Sequence, residues 1–160
     1  MGPGKSKFLF LRRQGMIPIP ILPNMVTRIL VTIAGLISIG FGIWHFFVPK
    51  TWNWYSYIDV TATELIVAVR AINVFFSLSL VLFGLMNIFL LFGNRGRKYP
   101  EIIVLSATCV LWLVRVLFQI IHPQGSVSPI LQYGMLSTFV FVFLCYFISL
   151  VLTAGDKSFG

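Results

Sequence analysis

Acidic residues are scarce in this chain: Asp59, Glu64, Glu101 and Asp156 are all it has among 160 residues. They are too far apart to pair at short spacing, so general acid–base chemistry by paired carboxylates is not expected. Cysteine is scarcer still, with two residues. Cys109 and Cys145 form no CxxC pair, and buried thiols acting as small hydrophobes are the expected state for both. Histidine is limited to His45 and His122, with no HExxH and no serine, histidine and aspartate set. No carboxylate or cysteine joins the histidines at ligand spacing, so no metal site is expected. An internal repeat and the interrupted helices of a typical secondary transporter are also absent. The reading that remains is a protein without catalytic apparatus of its own.

Apolar side chains are plentiful, at 58% against 10% charged. A hydrocarbon core of roughly 30 Å is crossed by about 20 apolar residues in a helix. Stretches of that kind lie at about Met25–Val48, Glu64–Phe92, Ile102–His122 and Ile130–Ala154. The connections between them are short and rich in turn formers, as in "GNRGRKYPE" and "HPQGSVSP". The expected fold class is therefore all-α: a polytopic membrane protein built as a four-transmembrane-helix up-down bundle.

The formal net charge of +8 follows membrane topology rather than a nucleic-acid-binding patch. Lys5, Lys7, Arg12 and Arg13 precede the first span, Arg95, Arg97 and Lys98 lie between the second and third, and Lys157 follows the fourth. The opposite connections hold only Lys50, Asp59 and Glu64, so the positive-inside rule predicts both termini in the cytoplasm. The expected location is a cytoplasmic (inner) membrane. The expected partners are the lipid bilayer and another membrane-protein subunit or a second copy of the chain, with no nucleic acid.

Residues 1–24 read as a basic and proline-spaced segment, extended along the cytoplasmic surface, and residues 155–160 as a cytoplasmic tail. "GPGKS" resembles the end of a phosphate-binding loop but lacks the earlier glycine and the preceding strand. Neither N-myristoylation nor a cleaved signal peptide is expected. Pro49 is expected to end the first helix. Beyond it, Trp52, Trp54, Tyr55 and Tyr57 crowd one polar connection, as an aromatic belt at headgroup level does.

Polar residues inside the spans carry the functional reading. Trp112, Arg115, Gln119 and His122 follow steps of three, four and three, which is one helix face. Gly35, Ser38, Gly42 and His45 repeat that spacing on the first span, and Arg70, Asn73, Ser77, Gly84 and Asn87 form a stripe on the second. Arg70 and Arg115 fall at nearly the same depth, roughly 10 Å below the outer surface at 1.5 Å per residue. The expectation is a ligand-binding pocket in the outer half of the bundle formed by His45, Arg70, Asn73, Trp112, Arg115, Gln119 and His122, with Glu64 and Asp59 near its mouth. Its guanidiniums would favour an anionic or carbonyl-bearing lipophilic ligand. The competing expectation is structural, with Arg70 paired to Glu64 and Arg115 capping carbonyls of the outer turn. His45 and His122 also raise axial ligation of a b-type haem.

"TRILVTIAGLISIGFGIWHFFVP" and "AVRAINVFFSLSLVLFGLMNIFLL" together resemble the opening of DoxX-like small membrane proteins. The likeness lies in an arginine at the cytoplasmic start of the first helix, glycines along it and an aromatic end before proline. It covers the first two spans and implies a four-helix membrane protein. Some members of that group are associated with quinone-linked thiosulfate oxidation, so quinone or haem b enters as a cofactor expectation. No functional residue is carried over. The sequence thus supports a binding or accessory subunit, with a redox-associated protein and a purely structural subunit of a larger membrane complex as alternatives.

Overall fold

The computed structural model of the chain describes residues 21–93, 98–124 and 128–156. The basic and proline-spaced segment before Ile21, Arg95, Arg97 and Lys157 lie outside the described residues. The four long helices are α1 (Ile21–Thr51), α2 (Thr63–Phe92), α3 (Lys98–Ile121) and α4 (Pro129–Gly155). A short 3₁₀ turn, Trp54–Tyr57, sits between α1 and α2. No strand occurs among the described residues. All four helices are long and apolar enough to cross a membrane.

α1 begins earlier and ends later than the sequence reading expected. Pro23 falls in its first turn, where a missing N–H costs no helical bond, so Ile21–Asn24 are helical rather than extended. Pro49 does not end the helix either, which continues to Thr51. Proline there removes only the bond to the His45 carbonyl four residues back. That carbonyl instead accepts from Asn73 Nδ2 at 3.3 Å.

The surface of this bundle is more apolar than its interior. Leu36, Phe47, Ile72, Phe75, Phe89, Val110 and Ile130 are exposed, whereas Ser38, Ser77, Thr108, Gln119 and Ser149 are buried. A bilayer environment accounts for this inversion, because lipid tails are as apolar as leucine and provide no hydrophobic drive between helices. Buried hydroxyls satisfy themselves locally: Ser77, Thr108 and Ser149 each donate at 2.7 Å to the carbonyl four residues back. Ser38 does the same at 2.8 Å and also lies 3.3 Å from the Tyr146 hydroxyl.

α1 packs most extensively against α2, and α4 packs against both α1 and α3. Glycine sets the first of these contacts. A Cβ on Gly84 would stand 2.8 Å from the Gly35 carbonyl oxygen, and one on Gly42 would stand 2.8 Å from that of Ser77. The two backbones are therefore as close as they can be. The α3–α4 seam holds Trp112 against Phe139 at 5.8 Å, and Phe41 of α1 meets Phe139 edge-on at 5.1 Å. Lys98 Nζ closes the far end of α4 by donating to the carbonyls of Ala154 at 3.1 Å and Asp156 at 2.6 Å.

α2 and α3 share the sparsest of the main helix interfaces. One polar clamp joins them: Asn87 Nδ2 donates to Thr108 Oγ1 at 2.7 Å. Toward the end that carries the Trp54–Tyr57 turn, the space between these two helices opens into a slot.

Candidate functional site

The slot is a cavity of about 530 Å³, the size class of a site for a drug-sized molecule. Val69, Ile72 and Phe76 of α2 form one wall, Leu111, Val114 and Phe118 of α3 the other, and Trp54 and Gln124 lie at the loop end. Ile72, Val114 and Phe118 are 68%, 56% and 50% exposed. They are the lips of an opening that faces sideways, where lipid tails lie.

Polar groups line the same cavity. His45, near the end of α1, packs edge-on against Phe76 at 4.9 Å and Trp54 at 6.3 Å. Its Nδ1 lies 3.4 Å from Ser77 Oγ. Ser77 spends its proton on the Asn73 carbonyl, so the Oγ can only accept from His45.

Asn73 is 6% exposed. Its Nδ2 faces the His45 carbonyl, which settles the orientation of the amide, since an oxygen there would face an oxygen. Its Oδ1 is buried without a hydrogen-bond partner among the described residues.

Arg115 projects from the last third of α3 and is 7% exposed. Its guanidinium lies 4.5 Å over the Phe139 ring and 6.0 Å from that of Phe76. Nη2 donates to Gln124 Oε1 at 2.7 Å. Nε is buried and unpartnered, and no carboxylate among the described residues lies within ion-pair distance. Gln119, one turn further along α3, donates to the Gln124 carbonyl at 3.0 Å and keeps an unpartnered Oε1. An uncompensated cation next to an apolar cavity is a costly arrangement unless something completes it.

Of the residues singled out from the sequence, His45, Asn73 and Arg115 line this cavity. Gln119 is buried behind it through Gln124. Trp112 is fully buried in the core, 6.3 Å from Phe41, and does not line it. Arg70 is exposed and stacks over Tyr55 at 5.6 Å. Val69, Ile72, Asn73 and Phe76 fall on one arc of α2, and Arg70, about 100° past Val69, lies off its edge. Glu64 is exposed in the first turn of α2, and no ion pair joins it to Arg70 among the described residues. His122 is exposed beyond α3, 5.2 Å from the Phe118 ring, and does not line the cavity. Asp59 is exposed and accepts from the Thr61 backbone N–H and hydroxyl, both at 2.8 Å, which holds its carboxyl below the usual range. Cys109 and Cys145 are free and buried. No three His, Cys, Asp or Glu side chains gather as a metal site among the described residues.

Trp54 and Gln124 were not legible as site residues. Trp54 reads as one of several interfacial aromatics, and Gln124 as part of a turn. The only hint was the odd placement of an amide beside the helix end that carries Arg115 and Gln119.

Compared with family models, curated proteins and solved structures, the chain matches none.

Proposed function

We propose that this protein is an up-down four-helix bundle of a cytoplasmic membrane, with both termini inside, that binds a lipophilic ligand through an anionic or carbonyl-bearing head. The slot between α2 and α3 is the site, Arg115 and Asn73 hold the head, and the apolar walls hold the tail. No step of chemistry is assigned to it; the protein acts as a binding or accessory subunit.

The topology rests on contact order and charge. His45 meets Asn73, Asn87 meets Thr108, and Lys98 meets Asp156, so rising positions on one helix meet falling positions on the next. The connections on the Arg28 and Lys98 side carry most of the cations. In this reading the slot belongs to the outer half of the bilayer.

One observation carries the binding reading: Arg115 is buried beside the cavity with no partner for its Nε and no carboxylate within ion-pair distance among the described residues. The resemblance to DoxX-like proteins adds a quinone as a carbonyl-bearing candidate and haem b as a redox alternative. Mass spectrometry of solvent extracts from gently purified protein tests the reading. A stoichiometric lipophilic compound that is retained in Arg70→Met and lost in Arg115→Met supports it. Only bulk lipid, unchanged in Arg115→Met, refutes it. An absorbance spectrum of the same sample reads the haem alternative through a Soret band.

A further inference from the structure

Arg70 is the one cation of α2, and it lies off the slot. It is exposed, and so are Val67 and Val74, which share its arc at steps of three and four. In a membrane-crossing helix an exposed apolar arc faces lipid. A helix of 30 residues is about 45 Å long, so when centred on a hydrocarbon core of roughly 30 Å it overhangs by about 7 Å at each end. Arg70 stands about 10 Å along α2 from Thr63, which sets its Cα just inside the core boundary. From there the stem reaches back to the phosphate level. A ring holds it: the guanidinium lies 5.6 Å over Tyr55 of the Trp54–Tyr57 turn. Among the described residues no ion pair joins it to Glu64, and Asp59 is engaged by Thr61. The chain thus fixes a guanidinium at the interface and gives it no counter-charge.

We propose that Arg70, held on the Tyr55 ring, binds the phosphate of a bilayer phospholipid at the end of the bundle that carries the Trp54–Tyr57 turn. The recognised group is a phosphodiester monoanion. Its oxygens accept from the guanidinium N–H fork and supply the missing counter-charge. The source is the bilayer rather than free phosphate in water, because Val67 and Val74 flank the arginine and offer exposed apolar faces to the acyl chains. An arginine without a platform would sweep the interface, whereas the ring restricts the guanidinium to one position, so less freedom is lost when a phosphate docks. The inference does not rest on the binding reading of the slot: a different arc of α2 and a different arginine carry it.

The test is native mass spectrometry of the full chain in neutral detergent micelles doped with equal amounts of phosphatidylmethanol and diacylglycerol, matched in their acyl chains. The unaltered chain is expected to retain phosphatidylmethanol and release diacylglycerol. Cations at the opposite end of the bundle also attract phosphate, so the site is read as a difference between chains. At a lipid concentration that just fills the site, Arg70→Met is expected to keep one phosphatidylmethanol fewer, its affinity there falling about fivefold, the share of one basic side chain near a membrane surface. Tyr55→Leu keeps the charge and loses the platform, and its affinity is expected to fall about twofold. Arg115→Met should leave this lipid in place. Diacylglycerol retained as well as phosphatidylmethanol overturns the phosphate chemistry. Equal retention by Arg70→Met and the unaltered chain removes the site, and unchanged retention by Tyr55→Leu overturns the platform. Displacement by excess inorganic phosphate overturns the bilayer as the source. A lipid lost in Arg115→Met and kept in Arg70→Met belongs to the slot, which overturns this inference and supports the binding reading above. Arg70 is exposed, and the lipids kept at the other cations report that its variant is folded.

Discussion

Asn73 donates to the backbone carbonyl of His45 across the α1–α2 seam at 3.3 Å. That carbonyl is available because Pro49, four residues on, has no N–H to give it. A local defect in one helix is thus completed by a side chain of its neighbour, and the same residue lines the slot.

The pairing makes a double-mutant cycle informative. Asn73→Ala should destabilise the protein by about 0.6 kcal/mol, the average for interhelical side-chain bonds in membranes, and by no more than about 1.7 kcal/mol. In a Pro49→Ala background the helix regains its own donor for the His45 carbonyl, and the same change should cost measurably less. Unfolding in mixed detergent micelles reads both; equal costs in the two backgrounds would contradict the relationship.

Close helix approach predicts asymmetric tolerance of methyl groups. Gly84→Ala puts a Cβ 2.8 Å from the Gly35 carbonyl, a backbone atom that cannot rotate away, and should cost about 1–3 kcal/mol. Gly40→Ala meets nothing within 4 Å and should leave the melting temperature unchanged. Thermal melts of the two variants side by side decide the point.

Arg115 is expected to work against stability in the ligand-free state. Replacing it by methionine removes a buried cation without a carboxylate and keeps most of the volume, so Arg115→Met should raise the stability of delipidated protein by on the order of 1 kcal/mol. Ligand-saturated protein should show the reverse order. A fall in stability in the delipidated state would mean that the Phe139 and Gln124 contacts outweigh desolvation.

The connection before α2 should respond to acid in one direction. Two hydrogen bonds from Thr61 hold the Asp59 carboxyl below its usual range. A depressed folded-state value means that the turn is favoured above the usual aspartate range and loses that support as pH falls through the folded-state value. The Thr61 amide resonance should therefore stay put through neutral and mildly acidic pH and shift only in stronger acid. Asp59→Asn should abolish that titration.

Several features were legible because they depend on short-range spacing. Runs of apolar residues near the length of a bilayer crossing specified the long helices, and the steps of three and four specified which face of α3 would be buried, as Trp112, Arg115 and Gln119 are. His45, Asn73 and Arg115 stood out as polar groups inside apolar helices, for which buried placement is costly enough to need a reason. Rotation between helices was not readable. The spacing put Arg70 and Arg115 at one expected depth, and Arg70 turns toward Tyr55 instead of the slot, because a difference of one residue is about 100° of azimuth.

By itself the sequence determined an all-helical chain with four membrane-length segments, glycine positions suited to close packing, and a shortage of carboxylates with which to neutralise a buried arginine. Only the tertiary structure decided that α2 and α3 part beyond the Asn87–Thr108 clamp, that Trp54 and Gln124 reach the resulting slot, and that Arg115 Nε and Asn73 Oδ1 are buried without partners among the described residues. The division follows from the forces involved. Apolar transfer and helix periodicity act along the chain, whereas hydrogen-bond satisfaction depends on which atoms of distant residues meet, and no spacing rule carries that information.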